Sequence, residues 1–357
     1  MELYEITLQP QSGFGTPLKG DTIFGHFCWQ AAHDPQLLEQ GLEKQLSRYS
    51  ENPFAVFSSA YPKTEDKGSS YFLKRPDISM EYFGSFKSLG KKEKINQAKE
   101  MKKKKWMHTD ASLGIDLQQN DFYTDKELLG RLQQDTTHEN ARRLRKAEAI
   151  SLTQTVSLPH NSVNRLTNTT GTGMFAPFSL EVFYYLPETE LVLFVLIDND
   201  ATDIERITKG LERIGKWGFG KDATAGMGKF DVAEADPVKP PDFDKADALY
   251  TLAPCVPEKG AFKKTFFSPF VRFGKHGDML VSSGNPFKNP VIMADEGAVF
   301  VPEDKTGMRK QYIGRAVANV SKAMEKTVVQ GYSPVLPITG MAGAWSFASA
   351  TTKNESP

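Results

Sequence analysis

Short apolar stretches separated by proline and glycine organise the first sixty residues of the chain. Residues 3–8 form a strand-like run, and apolar positions at helical spacing follow over 21–32 and 36–49. A further strand-like run covers 53–60. The pattern predicts a strand, two helices and a second strand before a long interruption.

The same kind of pattern returns between residues 178 and 234. Strand-like runs over 178–185 and 190–197 lead to a stretch, 201–214, in which three isoleucines and a leucine recur every three or four positions. A final strand is predicted at 230–234. With the interruption set aside, the order β-α-β followed by β-β-α-β is typical of a ferredoxin-like unit.

The interruption itself, from about 61 to 160, has little regular apolar patterning apart from a helical stretch at 125–134. A long excursion inside a compact domain is usually functional or disordered. Pro237, Pro240 and Pro241 stand among acidic residues and mark a linker. A second α+β unit is predicted beyond it, with strands at 250–255, 266–273, 290–293, 298–301 and 334–338 and a helix at 308–330.

Composition narrows the class of protein. The 357 residues suit two domains, and the longest apolar run, 191–197, is too short to cross a membrane. Cys28 and Cys255 are the two cysteines, so a disulfide scaffold and a cysteine-built zinc site are excluded and a reducing compartment is favoured. The chain opens directly in strand-like sequence, which predicts no signal peptide. We therefore expect a cytoplasmic protein without a membrane partner.

The distribution of charge changes the meaning of its sum. The chain has 44 basic and 44 acidic residues, and a net charge of zero argues against a nucleic-acid partner. Residues 87–105, however, hold nine Lys and two Glu, whereas 181–206 hold seven acids and one base. A basic centre suits RNA, and acidic stretches suit protein or water. The lysine-rich run can equally be a solvated face, and its role stays open.

Two glycine-rich loops carry the strongest local signal for a binding site. The first, 11–20, ends where a helix is predicted to begin, and a helix N-terminus favours an anion. The second, 215–229, leads into a strand. Glycines let backbone amides approach a phosphate closely, although a purely structural series of turns is an equal alternative. The second loop also carries the charged and aromatic side chains Lys216, Trp217, Phe219, Lys221 and Lys229, which suit phosphates and bases.

A third polar stretch covers residues 160–173. It contains one arginine, three asparagines and several hydroxyl side chains. Such side chains hydrogen-bond phosphates, sugars and base edges. The alternative interpretation is a solvated loop that leads into a strand.

Four stretches together resemble one family. Residues 14–29 (FGTPLKGDTIFGHFCW) are similar to the N-terminal signature of the fourth subunit of the type III-A CRISPR effector, the Csm complex. Residues 161–167 (NSVNRLT) are similar to its middle block, and 285–291 (NPFKNPV) fit the same subunit. The loop at 218–229 resembles the glycine-rich loop of the wider RAMP superfamily. The likeness extends over nearly the whole chain.

The resemblance implies an α+β fold of two ferredoxin-like (RRM-like) domains, at 1–236 and 237–348, with a thumb inserted at about 61–165 and a flexible tail at 349–357. It implies binding to the 5′ repeat-derived tag of the crRNA, with target RNA contacted indirectly. The implied protein partners are the large signalling subunit and a backbone RAMP subunit, and no cofactor or metal is expected. The expected RNA-binding residues are Phe14, Gly15, Thr16, Lys19, Asn161, Ser162, Asn164, Arg165, Trp217, Gly218, Phe219, Gly220, Lys221, Gly226, Gly228 and Lys229.

Catalysis is the remaining question, because some RAMP proteins cut precursor crRNA with a histidine. His26 lies among three aromatic residues, which favours a packed histidine over a general base. Asp21 is interpreted as the N-cap of the first helix, and no second carboxylate stands at a metal-binding spacing beside it. We therefore expect a non-catalytic subunit. The alternatives are a metal-independent RAMP endoribonuclease, the equivalent subunit of another type III complex, and a protein-interaction module that contacts little RNA.

Overall fold

The computed structural model describes residues 1–64, 69–83, 90–134, 151–171 and 173–341. The predicted flexible tail at 349–357 lies outside these ranges. Residues 135–150 of the predicted thumb insertion also lie outside them, as do the first three residues of the lysine-rich run, 87–89.

Strands outnumber helices in the part of the chain that the structure describes. In chain order, the helices there are α1 (Gly20–His33), α2 (Gly41–Arg48), α3 (Lys91–Lys103), α4 (Asp125–Gln134), α5 (Ile204–Trp217) and α6 (Lys305–Met308). The strands are β1 (Glu2–Pro10), β2 (Ala55–Thr64), β3 (Ser70–Lys74), β4 (Trp106–Asp110), β5 (Ile115–Asp116), β6 (Phe122–Tyr123), β7 (Thr153–His160), β8 (Phe178–Tyr185), β9 (Glu190–Ile197), β10 (Phe230–Pro237), β11 (Ala248–Thr251), β12 (Phe262–Phe266), β13 (Pro269–Arg272), β14 (Val291–Ala294), β15 (Val299–Pro302), β16 (Tyr312–Gly314) and β17 (Tyr332–Thr339).

A seven-stranded sheet organises the N-terminal half. Its order is β10-β1-β9-β2-β3-β4-β6, and neighbouring strands are antiparallel. β9 lies inside this order and is buried from Leu191 onward, because its sequence ELVLFVLI is apolar on both faces. α1 connects β1 to β2, and α5 connects β9 to β10, as the hydrophobic pattern predicts.

The helices α1 and α5 pack against each other at a glycine. α5 buries Ile207, Leu211 and Ile214 on one face. A Cβ atom added to Gly210 of this helix would lie 2.5 Å from the ring of Phe27, which α1 supplies. The absence of a side chain at position 210 therefore sets how closely the two helices approach.

A second sheet organises the C-terminal half, in the order β12-β15-β11-β17-β16 with antiparallel neighbours. The excursion predicted at about 61–165 contributes to both sheets: β3, β4 and β6 extend the first, and β5 pairs in parallel with β17 of the second. Two ribbons stand apart from these sheets, β7 with β8 and β13 with β14.

A buried amide side chain joins the two halves. The pairing of β2 with β9 shifts register between Phe57 and Ala60. Gln330, which is fully buried, accepts the N–H of Phe57 at 3.0 Å and donates to its carbonyl at 2.8 Å. β3 pairs with β2 at Lys63 and Thr64, away from Phe57, so the amide bonds backbone groups of Phe57 that β3 does not reach.

The helix predicted at 308–330 is wrong. α6 ends at Met308, and β16 follows at Tyr312–Gly314. The backbone of this segment pairs with distant residues instead of with its own preceding turn: Arg315 donates to Gly331 at 3.1 Å, and Val317 and Val329 exchange two hydrogen bonds of 3.0 Å. Apolar residues at helical spacing therefore do not by themselves make this segment a helix.

Candidate functional site

The two glycine-rich loops lie against each other. The N–H of Gly228 donates to the carbonyl of Gly13 at 2.7 Å, and the N–H of Lys221 donates to the hydroxyl of Thr16 at 2.9 Å. Gly15 also lies next to the backbone of Lys221. The loops at 11–20 and 215–229 therefore form one structure, which we call the glycine platform.

The glycines of the platform serve close packing. A Cβ atom would lie 2.4 Å from the Met227 carbonyl at Gly218, 2.5 Å from Thr16 at Gly220 and 2.1 Å from the Phe219 carbonyl at Gly228, and all three have positive φ. Their N–H groups all donate within the chain. The expectation that these amides face a phosphate is wrong, and the structural alternative holds for them.

His26 supports the platform from α1. Its Nε2 accepts the N–H of Gly220 at 3.0 Å, and its ring lies 4.7 Å from that of Phe219. Burial, with a smaller contribution from Lys288, lowers the pKa of His26 to about 4. The ring is therefore neutral near pH 7 and carries its proton on Nδ1. The prediction of a packed histidine is confirmed.

Asp21 does not cap α1, contrary to the sequence-based interpretation. The helix begins at Gly20, which packs against the Phe57 carbonyl, so the first turn is buried between the two halves. Asp21 is buried within that turn and accepts two hydrogen bonds from the guanidinium of Arg272, at 2.5 and 2.9 Å. The Asp21 carboxylate therefore joins α1 to β13 and does not bind the amides of the first turn.

Lys19 is similarly engaged within the chain. Its ammonium group is paired with Asp295 and, at 2.9 Å, with Glu296. Burial raises the pKa of the Glu296 carboxyl, while Lys19 and Glu296 lower that of Asp295. These contacts fix the first loop to the turn between β14 and β15, so the charge of Lys19 is neutralised inside the protein.

The side chains that remain accessible are those at the rim of the platform. Phe14 and Phe219 are fully buried, so the expectation that Phe219 offers a face for base stacking is wrong. Trp217, by contrast, is 77% exposed, and it stands at the end of α5. The lysine side chains Lys216, Lys221 and Lys229 of the same loop are also exposed.

The third predicted stretch lies away from the platform. Phe183 of β8 exchanges two hydrogen bonds with Phe14 at the platform. The stretch that includes Asn161, Ser162, Asn164 and Arg165 follows the other end of the ribbon, beyond the pairing of His160 with Phe178. Five residues of strand separate the two positions, which is about 17 Å. The structure brings the two glycine loops together and leaves the third stretch at the ribbon tip.

Sequence reasoning missed the role of Lys288. This lysine belongs to the NPFKNPV stretch but carries no predicted role. Burial lowers its pKa, and its charge acts on His26, Cys28 and His276. Among the described residues it forms no salt bridge. A cation therefore lies beside the histidine that supports the platform, and the sequence spacing gives no signal of it.

Metal-binding clusters and membrane-spanning helices are both absent from the part of the chain that the structure describes. The described residues contain no group of three or more His, Cys, Asp or Glu side chains placed to hold a metal ion. None of the helices described here has the length and apolar character to cross a membrane.

Comparison with solved structures identifies the fold. The chain is similar to a subunit in the crystal structure of the Csm3–Csm4 subcomplex of the type III-A CRISPR-Cas interference complex, with a TM-score of 0.52, 12% identity and coverage of 95% of this chain and 100% of that one. The Csm1–Csm4 cassette in complex with pppApA gives a TM-score of 0.49, 15% identity and coverage of 95% and 98%. No family model and no curated protein sequence matches the chain. The expected resemblance is confirmed at the level of the fold: the chain has an α+β fold similar to that of Csm4.

Proposed function

We propose that this chain is a non-catalytic RNA-binding subunit of a type III-A CRISPR interference complex, which holds the 5′ repeat-derived tag of the crRNA. The observation that carries the proposal is a Csm4-like fold whose glycine platform exposes three lysines and a tryptophan. A rigid rim with basic and aromatic side chains suits single-stranded RNA, because lysines pair with the phosphates and an aromatic ring stacks on an unpaired base. The equivalent subunit of another type III complex is the neighbouring alternative.

The proposal includes two ferredoxin-like, RRM-like domains at 1–236 and 237–348. The strand order β10-β1-β9-β2 supports the first, because a β-α-β-β-α-β unit places its fourth strand beside its first and its third beside its second. The order β17-β11-β15-β12 gives the second half the same arrangement. The ribbon of β7 and β8, whose first strand lies in the predicted insertion and whose second lies beyond it, is the element that we propose as the thumb.

The tag-binding surface is proposed at the rim of the platform. Lys216, Lys221 and Lys229 would pair with phosphates, and Trp217 would stack on a base. The glycines would act indirectly, since they let the two loops pack closely enough to hold these side chains in place. Asn161, Ser162, Asn164 and Arg165 would contact a more distant part of the RNA from the ribbon tip.

The proposed protein partners are a large signalling subunit and a backbone RAMP subunit. Support comes from the solved structures, in which the similar chain is paired with Csm1 or with Csm3. The acidic strand β10 at the edge of the first sheet is a candidate surface for a protein contact, because its exposed carboxylates would repel RNA.

The absence of catalysis is also part of the proposal. A histidine that cleaves RNA must reach the 2′-oxygen and exchange a proton near neutral pH. His26 is partly buried, uses Nε2 to accept the Gly220 amide and has a pKa lowered to about 4. Asp21 is held by Arg272. Neither group has the freedom that a general acid or base requires.

The proposal predicts that replacing Lys221 and Lys229 with alanine weakens tag binding and its dependence on salt. Loss of two phosphate contacts reduces the slope of log affinity against log salt by about 1.4, at about 0.7 per contact for a single strand. The measurement is a titration of labelled tag RNA with the full-length chain at several salt concentrations. The same samples are analysed for RNA length, which should not change.

The matched control replaces Lys239 and Lys245, two exposed lysines of the acidic linker, with alanine. This variant has the same change in net charge and should keep the wild-type slope. An unchanged slope in the platform variant would contradict the assignment of the platform. Shortening of the RNA by the wild type that is lost in His26→Ala would favour the ribonuclease alternative instead.

A further inference from the structure

The outer face of the ribbon formed by β13 and β14 is apolar and exposed. Val271 and Ile292 lie opposite each other, with exposures of 43% and 70%. Phe273 is 76% exposed and Phe287 is 68% exposed, and Phe287 pairs with Lys275 where the ribbon continues beyond the two strands. Two aromatic rings of about 150–250 Å² each therefore expose several hundred Å² of apolar surface together with the aliphatic pair.

The inner face of the same ribbon is firmly attached to the protein. Met293 is buried, Arg272 pairs with Asp21 of α1, and His276 is hydrogen-bonded to Ser321 at 2.7 Å. Alternation along a strand then dictates that the residues between these anchors point outward. The exposed rings are thus presented by a fixed backbone, which lowers the cost of ordering them on binding.

Lysine side chains accompany the exposed rings. The ribbon and its connection, residues 269–294, contain three Lys or Arg and one acid, Asp278. The ammonium group of Lys275 lies 5.5 Å from the ring centre of Phe287. Lys288 emerges on the adjacent strand, between this ribbon and His26 of the glycine platform. Because Arg272 is paired with Asp21, the remaining cations of this ribbon are Lys275 and Lys288.

We propose that Phe273 and Phe287 form a second RNA-binding surface on this ribbon, on which unpaired bases stack against the two rings while Lys275 neutralises the backbone. Exposed aromatic rings next to cations match the two parts of a single-stranded RNA, whereas a protein partner for an apolar face needs no such charge. The inference rests on the proposed function. It extends the RNA path from the glycine platform across α1, with Lys288 between the two surfaces.

The test compares three double variants of the full-length chain, each first shown by circular dichroism and thermal unfolding to be folded. A labelled single-stranded RNA of about twenty nucleotides is titrated, and so is the same strand in a duplex. F273A/F287A should bind the single strand at least about tenfold more weakly, because it removes both rings on which bases stack. F273L/F287L keeps apolar area but lacks the rings, and it should be weakened similarly. V271A/I292A, on the same face, should stay within about twofold of the wild type.

Several results would overturn the proposal. If the wild type binds the single strand and F273A/F287A binds it equally well, the ribbon is not an RNA surface while the proposed function stands. If V271A/I292A is weakened as much as F273A/F287A, the face acts through apolar area and not through stacking. If the wild type binds no RNA at all, while its fold is intact, the proposed function fails and this inference fails with it. Tighter binding to the duplex than to the single strand would also contradict stacking of unpaired bases.

Discussion

At the scale of single residues, His26 links the glycine platform to pH. Its pKa is lowered from 6.5 to about 4, so the unfolded chain takes up a proton between these values and the folded chain does not. The contribution of neutral His26 to the free energy of unfolding is therefore fully present above pH 6.5 and is lost as the pH falls toward 4. We predict that this residue alone removes about 2 kcal/mol of the free energy of unfolding between pH 8 and pH 5.

The measurement is denaturant unfolding at both pH values for the wild type and for His26→Gln. Glutamine can accept the Gly220 amide but cannot gain a proton, so the variant should lose about 2 kcal/mol less on acidification. His276 and His108 also have lowered pKa values and contribute equally to both proteins. Equal losses in the two proteins would show that His26 does not titrate in this range.

Single residues also show which part of the site the sequence can predict. Trp217 and Lys221 are exposed, in agreement with their predicted role at an RNA surface. Phe219 and Lys19 are not, because their environment comes from far along the chain: Gly220, next to Phe219, bonds to His26 across 194 positions, and Lys19 bonds to Asp295 across 276. Local composition identifies a residue as aromatic or basic, whereas distant partners decide whether it faces solvent.

At the scale of elements, the crossing of α1 and α5 depends on Gly210. We predict that Gly210→Ala destabilises the protein by about 1–3 kcal/mol, because the new methyl group would lie 2.5 Å from the buried ring of Phe27. Gly25→Ala in α1 is the matched control, since a Cβ there meets no atom within 4 Å. It should stabilise the protein by about 0.5–1 kcal/mol through better helix propensity.

Both effects are read as shifts of the midpoint of chemical or thermal unfolding. If the two changes shift the free energy of unfolding in opposite directions, the loss at Gly210 is due to the close approach of Phe27, because both changes improve helix propensity. If Gly210→Ala stabilised the protein as Gly25→Ala does, the helices would be able to move apart at no cost, and the glycine would not set their distance.

Elements differ in how well the pattern predicts them. The predictions for α4, β8 and β9 match to the residue, because each is a continuous periodic or apolar run bounded by turn residues. The segment at 308–330 has apolar residues at helical spacing but forms a short helix, a strand and irregular backbone. Gly314, with φ of 100°, and Gly331 let the segment fold back on itself, and the resulting long-range pairing replaces local helical bonds.

At the scale of the whole molecule, the 44 basic and 44 acidic residues fall into paired charges inside the protein and charges that face solvent. Lys19 with Asp295 and Arg272 with Asp21 are pairs of the first kind. Those pairs join the two halves of the chain. The charge that stays exposed at the platform rim and on the β13–β14 ribbon is basic, which is where the RNA surfaces are proposed.

The joint between the halves gives a last prediction. The side chain of Asp21 is 2% exposed, so Arg272→Ala would leave a buried carboxylate without its partner and should destabilise the protein by about 3–5 kcal/mol. The double variant D21A/R272A should be more stable than Arg272→Ala alone, because it removes the unpaired charge as well. Arg309→Ala breaks the exposed pair with Asp244 and should cost at most about 1 kcal/mol. Denaturant unfolding of the four proteins measures these differences. If Arg272→Ala cost no more than Arg309→Ala, the pair would contribute nothing to the joint, and apolar packing and Gln330 would have to hold the halves together.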